Sequence, residues 1–253
     1  MKSAFHPKPL RYPQSWSELP GGDELKQAIE GVCDDLSQRV FGYNLVKLGN
    51  LSSEIKLPGC AIRNQVVQTQ VATEASSLIS NSDKLPYIEN SIDGFLLANE
   101  LDFARDPHEI LREVDRTITA NGYVIISGFN PYSLTGLARF LPIKKGNILH
   151  QARFFSAGRI KDWLQLLGFE IVEHRHILFS MLFASHHKGQ PAAWQQWCSR
   201  YCPWCSSVYV LMARKRTLPM TTVKPKWKVK PRFSAVGASM RDAASRVTHS
   251  SNR

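Results

Sequence analysis

The sequence predicts an α/β domain built on a mostly parallel β-sheet, and residues 85–137 carry most of that prediction. This segment contains a buried strand at Gly94–Ala98, an amphipathic helix that follows Asp106, and a second apolar strand at Tyr123–Ser127. A strand–helix–strand unit of this kind joins parallel neighbours, and open parallel sheets bind ligands beyond the carboxyl ends of their strands. Hydrophobic residues make up 43% of the chain, which is enough for a sizeable core.

The first half of the chain predicts a helix and two strands behind a flexible arm. Residues 1–22 are rich in proline and end in Pro-Gly-Gly, so we expect a flexible N-terminal arm. Asp23 is a candidate N-cap for a helix with apolar residues at helical spacing. Short apolar segments at Asn44–Leu48 and Gln65–Val71 predict the first two strands.

The central helix has clear start and stop signals. Asp106 is placed to cap it, and Pro107 occupies the first helical position, where its missing N–H costs nothing. Apolar residues at helical spacing predict a face that packs on the sheet, namely Ile110, Leu111, Val114 and Ile118. Asn121-Gly122 is expected to end the helix before the next strand.

The remaining elements complete the sheet. A helix is predicted over Ala157–Leu167, with Ser156 as its cap and Gly168 as its stop. Strands are predicted at Phe169–His174 and Val208–Ala213. We therefore place the domain at residues 23–215.

Positive charge is concentrated at the C-terminal end of the chain. Residues 214–253 hold eleven of the 32 basic residues and one acidic residue, so the rest of the chain is almost neutral despite a net charge of +11. Residues 216–253 are predicted to form a basic, disordered tail. The segment Lys224–Phe233 fits a solvated tail, and it also fits weak contact with nucleic acid or an anionic surface.

The expected location is the cytoplasm. The N-terminus lacks an apolar signal region, the longest apolar run (Ile177–Ala184) is too short to span a membrane, and five cysteines form no even disulfide framework.

Three segments together resemble a known enzyme family. They are Leu85-Pro86-Tyr87, Asn90-Ser91-Ile92-Asp93 and Ile110-Leu111-Arg112-Glu113-Val114, which follow one another as in class I S-adenosylmethionine (SAM) methyltransferases of the type 11 family. The resemblance implies a Rossmann-like, mostly parallel seven-stranded sheet flanked by helices and finished by an antiparallel pair. It also implies SAM as cofactor and a small-molecule acceptor.

The resemblance also implies where the cofactor would bind. By position, the cofactor-binding candidates are Gly49, Asn50, Asn81, Asp83, Ala98 and Asn99. The sequence departs from the family at the glycine-rich loop, where Gly49 is kept but Leu51 and Ser53 replace two glycines and Lys47 replaces an acid. The alternative interpretation is therefore a methyltransferase-like binding or scaffolding module that does not bind SAM.

Candidates for contact with the acceptor follow the last parallel strand. Asn130 and Tyr132 lie in the loop after it, and Phe154 precedes the next helix, so all three are predicted to border the acceptor entrance. Glu100 and Asp102 are candidate bases, although solvated loop carboxylates explain them as well. No catalytic residue is assigned.

Three cysteines close in sequence leave several interpretations open. Cys198, Cys202 and Cys205 have a spacing that iron–sulfur enzymes use, but only 48 residues follow them. A zinc site with His186 or His187 and a redox pair are alternatives to ordinary packed cysteines. We assign no metal.

Overall fold

The computed structural model describes residues 12–133, 136, 148–177 and 206–217. All of them belong to the first of two compact units, Met1–Leu218. The helices are α1 (Gly22–Ser37), α2 (Asn50–Ser53), α3 (Glu100–Phe103), α4 (Pro107–Thr117) and α5 (Ala157–Leu166), with 3-10 turns at Trp16–Glu18 and Ile148–His150. The strands are β1 (Asn44–Leu48), β2 (Asn64–Thr69), β3 (Leu78–Ile79), β4 (Ile92–Ala98), β5 (Ile118–Phe129), β6 (Phe169–Ile177) and β7 (Val208–Lys215).

The seven strands form one sheet in the order β3-β2-β1-β4-β5-β7-β6. The first five run parallel, and β7 pairs antiparallel with both β5 and β6. This confirms the predicted mostly parallel seven-stranded sheet and the antiparallel pair at its end.

Alternate side chains of the strands pack into two separate hydrophobic cores, one on each face of the sheet. In β4, Leu96 packs on the face shared with α1, whereas Phe95 and Leu97 pack on the face shared with α4 and α5. Because successive side chains of a strand point to opposite faces, a central strand covered on both sides is apolar throughout. The result is a three-layer arrangement of helices, sheet and helices.

Two predicted helix boundaries are wrong. Asp23 lies inside the first turn of α1, whose N-cap is Gly21 with a left-handed φ of 66°. The central helix ends at Thr117 because Ile118 is already extended and pairs with Ile92 of β4. Asn121 lies within β5 at φ 67°, so the Asn-Gly pair marks an irregularity of the strand and not the end of the helix.

The segment before α1 packs on the domain. Trp16 is fully buried, and its indole N–H donates a hydrogen bond of 2.9 Å to the carbonyl of Leu51. Residues 12–22 thus differ from the flexible arm that the proline-rich sequence predicts. The physical reason is the indole ring of Trp16, which packs in the hydrophobic core and donates a hydrogen bond to the buried carbonyl of Leu51 in α2.

No helix in the described part of the chain has the length and apolar character needed to cross a membrane. From residue 218 onward, the predicted basic tail lies outside the described residues.

Candidate functional site

A cavity of about 440 Å³ opens at the carboxyl ends of the parallel strands. The strand order places β1 beside β4, and the chain leaves these two strands toward opposite edges of the sheet. Such a switch point is where open α/β sheets bind their ligands. The cavity lining combines polar and aromatic side chains, among them Gln70, Asn81, Ser82, Asp83, Tyr12 and Phe103.

The turn after β1 lies beneath this cavity. Gly49 has a φ of 95° and its N–H donates to the carbonyl of Gln68 at 2.9 Å. A side chain at Gly49 would overlap the Glu100 carboxylate and the Tyr12 hydroxyl, so only glycine fits here. Lys47 does not line the cavity, and its ammonium group donates to the carbonyl of Ile55 at 2.8 Å. Burial lowers the pKa of Lys47.

Two of the predicted cofactor-binding residues line the cavity. Asn81 is exposed to it, and Asp83 has one buried carboxylate oxygen without a partner among the described residues. Gln70 follows β2 directly and also lines the cavity. An amide side chain therefore stands beside the cavity at the end of β2.

Other predicted residues lie in the layer below the cavity. Asn50 is almost fully buried and its side-chain oxygen accepts the N–H of Gln70 at 3.3 Å. The N–H of Ala98 donates to the Ser52 hydroxyl at 2.7 Å. Asn99 accepts the Ser127 hydroxyl at 2.8 Å and also donates to Asp102 at 3.0 Å. These groups hold the ends of the strands together and do not line the cavity.

Glu100 and Asp102 are fully buried, so the interpretation as solvated loop carboxylates is wrong. Both lie on α3, which turns back under the end of β4 and packs against β5. Burial raises the pKa of each carboxyl well above its ordinary value. Asp102 accepts the N–H of Phe129 at 2.9 Å, whereas Glu100 accepts the Ser82 hydroxyl at 2.6 Å.

Sequence reasoning missed Tyr12 as a residue of the site. Its ring packs edge-on against Phe103 with centroids 6.0 Å apart, and its hydroxyl is buried next to Gly49. Tyr12 sits in the proline-rich segment, which has no hydrophobic periodicity. An aromatic residue at 12 and another at 16 were the only local signals that this segment packs on the domain.

None of the three predicted acceptor residues is among the described residues that line the cavity. The Asn130 amide donates to the carbonyl of Ser206 at 2.9 Å, and its oxygen accepts the N–H of Tyr132 at 3.1 Å. Tyr132 itself is 74% exposed. Phe154 stacks on Phe129 with ring centroids 5.1 Å apart, and Phe129 meets Phe103 at 6.4 Å. A line of aromatic rings therefore runs from Phe154 to the cavity wall.

Some predictions fall outside the described residues. Cys198, Cys202 and Cys205, together with His186 and His187, are among them, so their alternatives stay open. Among the residues that are described, no three His, Cys, Asp or Glu side chains are grouped to hold a metal ion.

No protein-family model matches the chain. The Escherichia coli (strain K12) protein YafS is 35% identical over 243 residues, which cover 94% of this chain and 97% of YafS. A SAM-dependent methyltransferase from Thermotoga maritima superposes with a TM-score of 0.55 at 19% identity, covering 76% of this chain and 89% of its own. Another from Archaeoglobus fulgidus gives 0.54 at 14% identity, covering 76% and 94%. The chain therefore belongs to the same family as YafS and has the class I SAM-dependent methyltransferase fold.

Proposed function

We propose that the protein is a SAM-dependent methyltransferase that acts on a small-molecule acceptor. The observation that carries this proposal is the cavity near the switch point between β1 and β4, with polar side chains from the segments after β2 and β3 around it. The fold alone does not imply the activity, because function depends on the site that a fold carries.

The residues of the cavity fit a polar ligand of the size of SAM. A volume of about 440 Å³ is within the usual range for small-molecule and cofactor sites. Two of the lining side chains, Tyr12 and Asp83, have a buried oxygen without a partner among the described residues. The same holds for Gln68 and Glu100, which lie behind the lining and bond to Asn81 and Ser82. Because a buried polar atom without a partner is costly, such a cluster favours a ligand that completes its hydrogen bonds.

We assign each polar side chain of the cavity a separate role in binding SAM. Asn81 and Asp83 are suited to accept hydrogen bonds from the adenine amine, since amide and carboxylate oxygens are both acceptors. Gln70 is suited to the ribose hydroxyls. The other predicted cofactor residues would contribute backbone groups or support the side chains that line the cavity. They are Gly49, Asn50, Ala98 and Asn99. When bound, SAM supplies an electrophilic methyl group on its sulfonium, so the protein mainly has to position the acceptor and exclude water.

The acceptor would enter beside the line of aromatic rings. Phe154 belongs to this line through Phe129, and Phe103 lines the cavity wall. Asn130 and Tyr132 stay predicted contacts of the acceptor. Aromatic rings near an opening favour a compact, partly apolar acceptor over an extended polymer.

Calorimetric titration with SAM and with S-adenosylhomocysteine tests the proposal. We expect micromolar binding of both, weakened about two- to tenfold by Asn81→Ala, since a neutral hydrogen bond contributes about 0.5–1.5 kcal/mol. Asn64→Ala is the matched control, because Asn64 is exposed at the opposite end of β2. Absence of binding by folded protein at millimolar ligand would contradict the proposal.

A further inference from the structure

A group of positively charged side chains lies where α4 meets α5. Arg112 belongs to α4, Arg159 to α5, and Arg153 to the segment that leads into α5. His108 of α4 contacts Trp163 of α5 with ring centroids 4.1 Å apart, which joins the two helices at this point. We call Arg112, Arg153 and Arg159 the arginine cluster.

Two buried aromatic rings hold the guanidinium groups in place. The guanidinium carbon of Arg153 lies over the ring of Phe155, 5.1 Å from its centroid. That of Arg159 lies over the same ring at 5.7 Å and over the ring of Trp163 at 5.1 Å. Both rings are buried in the hydrophobic core on the α4 and α5 side of the sheet, so they are fixed supports. A side chain that is held in position before a ligand arrives loses less freedom on binding, which favours affinity.

The charges that meet at His108 are mostly of one sign. Burial lowers the pKa of His108, and the neighbouring Asp106 opposes this effect. The three guanidinium groups of the arginine cluster add to the lowering, so each is near enough to act on the imidazole. Among the described charged groups that act on His108, one carboxylate therefore stands against three guanidinium groups. Like charges that are brought together repel one another, and an anion bound among them removes that cost.

The arginine cluster adjoins the cavity without belonging to its lining. Asp106 lines the cavity and caps α4 by accepting the N–H of His108 at 2.9 Å. On the α5 side, the N–H of Arg153 donates to the carbonyl of Asp102 at 2.7 Å, and the next residue of α3, Phe103, lines the cavity. The cluster is thus attached to two parts of the cavity wall.

We propose that the arginine cluster binds an oxyanion, a phosphate or carboxylate group, of the methyl acceptor. The planar fork of a guanidinium group matches two oxygens of such a group, and these charge-assisted hydrogen bonds are strong. The position fits the predicted acceptor side, because Phe154 lies between Arg153 and Phe155 in the chain. This inference rests on the proposed function, since it names the chemical class of the acceptor in the same methyl transfer.

Three small aromatic compounds serve as probes. Phenyl phosphate and benzoate each carry one of the two oxyanions on a benzene ring, and benzyl alcohol carries none. Each is titrated into the full-length protein labelled with ¹⁵N, and NMR follows the Nε–Hε signals of the arginine side chains. The titrations are made with and without saturating S-adenosylhomocysteine, whose own affinity is measured by calorimetry. The variants are Arg153→Gln and Arg112→Gln. Arg39→Gln is the matched control, because it removes the same charge from an ion pair with Glu173 elsewhere on the domain.

We expect phenyl phosphate, benzoate or both to bind with a dissociation constant of millimolar order, also in the presence of S-adenosylhomocysteine. Arg153→Gln should weaken this binding about five- to tenfold, since hydrogen bonds to charged groups are the stronger ones, and Arg39→Gln should change it by less than about twofold. Benzyl alcohol should bind at least about tenfold more weakly than the oxyanions. The affinity for S-adenosylhomocysteine should be the same in Arg153→Gln as in the wild type. The tighter of the two oxyanion probes identifies the group on the acceptor.

Equal binding of benzyl alcohol and phenyl phosphate would overturn the oxyanion subsite. Displacement of phenyl phosphate by S-adenosylhomocysteine would overturn it as well, because the probe would then occupy the cofactor cavity. If Arg153→Gln fails to fold, Arg112→Gln decides, since Arg112 is exposed on α4, and undiminished binding by that variant would sink the subsite. In all these cases binding of S-adenosylhomocysteine leaves the proposed function intact. If folded wild-type protein does not bind S-adenosylhomocysteine, the proposed function is wrong and the acceptor assignment falls with it.

Discussion

Replacing Trp16 tests whether the segment before α1 is part of the folded domain. The indole is fully buried and hydrogen-bonded to the carbonyl of Leu51 at 2.9 Å. Truncation of a buried aromatic side chain to alanine costs about 3–5 kcal/mol. For a domain of this size each kcal/mol lowers the melting temperature by about 2–4 °C, so Trp16→Ala should melt about 6–20 °C lower than the wild type.

A milder change isolates the hydrogen bond. Trp16→Phe keeps much of the ring but leaves the Leu51 carbonyl buried without a donor, which costs about 1–3 kcal/mol. Ser17→Ala is the control, because Ser17 is exposed next to it and should change stability by less than about 0.5 kcal/mol. Thermal and urea unfolding followed by circular dichroism measure all three. A melting temperature of Trp16→Ala equal to that of Ser17→Ala would refute the reasoning.

Three further predictions concern the site and its supports. Gly49→Ala should destabilise the protein by more than the roughly 1–3 kcal/mol of backbone strain, because φ 95° and ψ 159° is a conformation that essentially only glycine adopts and the new Cβ would also overlap the Glu100 carboxyl group. Urea unfolding with an unchanged midpoint would contradict this. Asp106→Ala should cost about 1 kcal/mol, since the carboxylate caps α4 by accepting the N–H groups of His108 and Glu109, and Asp106→Asn should recover most of that loss in the same assay. Burial raises the folded pKa of Glu100 above its unfolded value, so the native state holds the proton longer and stability falls by up to about 1.4 kcal/mol per pH unit as pH rises between the two pKa values. Urea unfolding at a series of pH values should therefore give a shallower decline for Glu100→Gln than for the wild type, and parallel curves would contradict the burial argument.

Elements with local signals were predictable. The strand β1 and the capped starts of α4 and α5 agree with the sequence, because an apolar run, Asp106 and Ser156 act on their immediate neighbours. Asn81 and Asp83, which the family resemblance implied as cofactor contacts, both line the cavity. Helix ends were less predictable. Thr117 ends α4 because the next residue, Ile118, pairs with β4. No local sequence pattern predicts this pairing.

The roles of the polar residues around β4 depended on partners far along the chain. Asn99 looked like a cofactor contact, but Ser127, 28 positions away, occupies its side-chain oxygen. Glu100 looked solvated, yet Ser82 and the backbone of Gly49 enclose it. Tyr12 looked mobile, yet Phe103 holds its ring.

By itself, the sequence determined the α/β class and the parallel strands, because hydrophobic periodicity and helix caps act over a few residues. Only the tertiary structure decided that Glu100 and Asp102 are buried and that the segment with Tyr12 closes over the turn at Gly49. Burial of a charged or aromatic side chain is set by every element that packs around it, and residues as distant as Trp16 and Leu51 meet only when the sheet has formed.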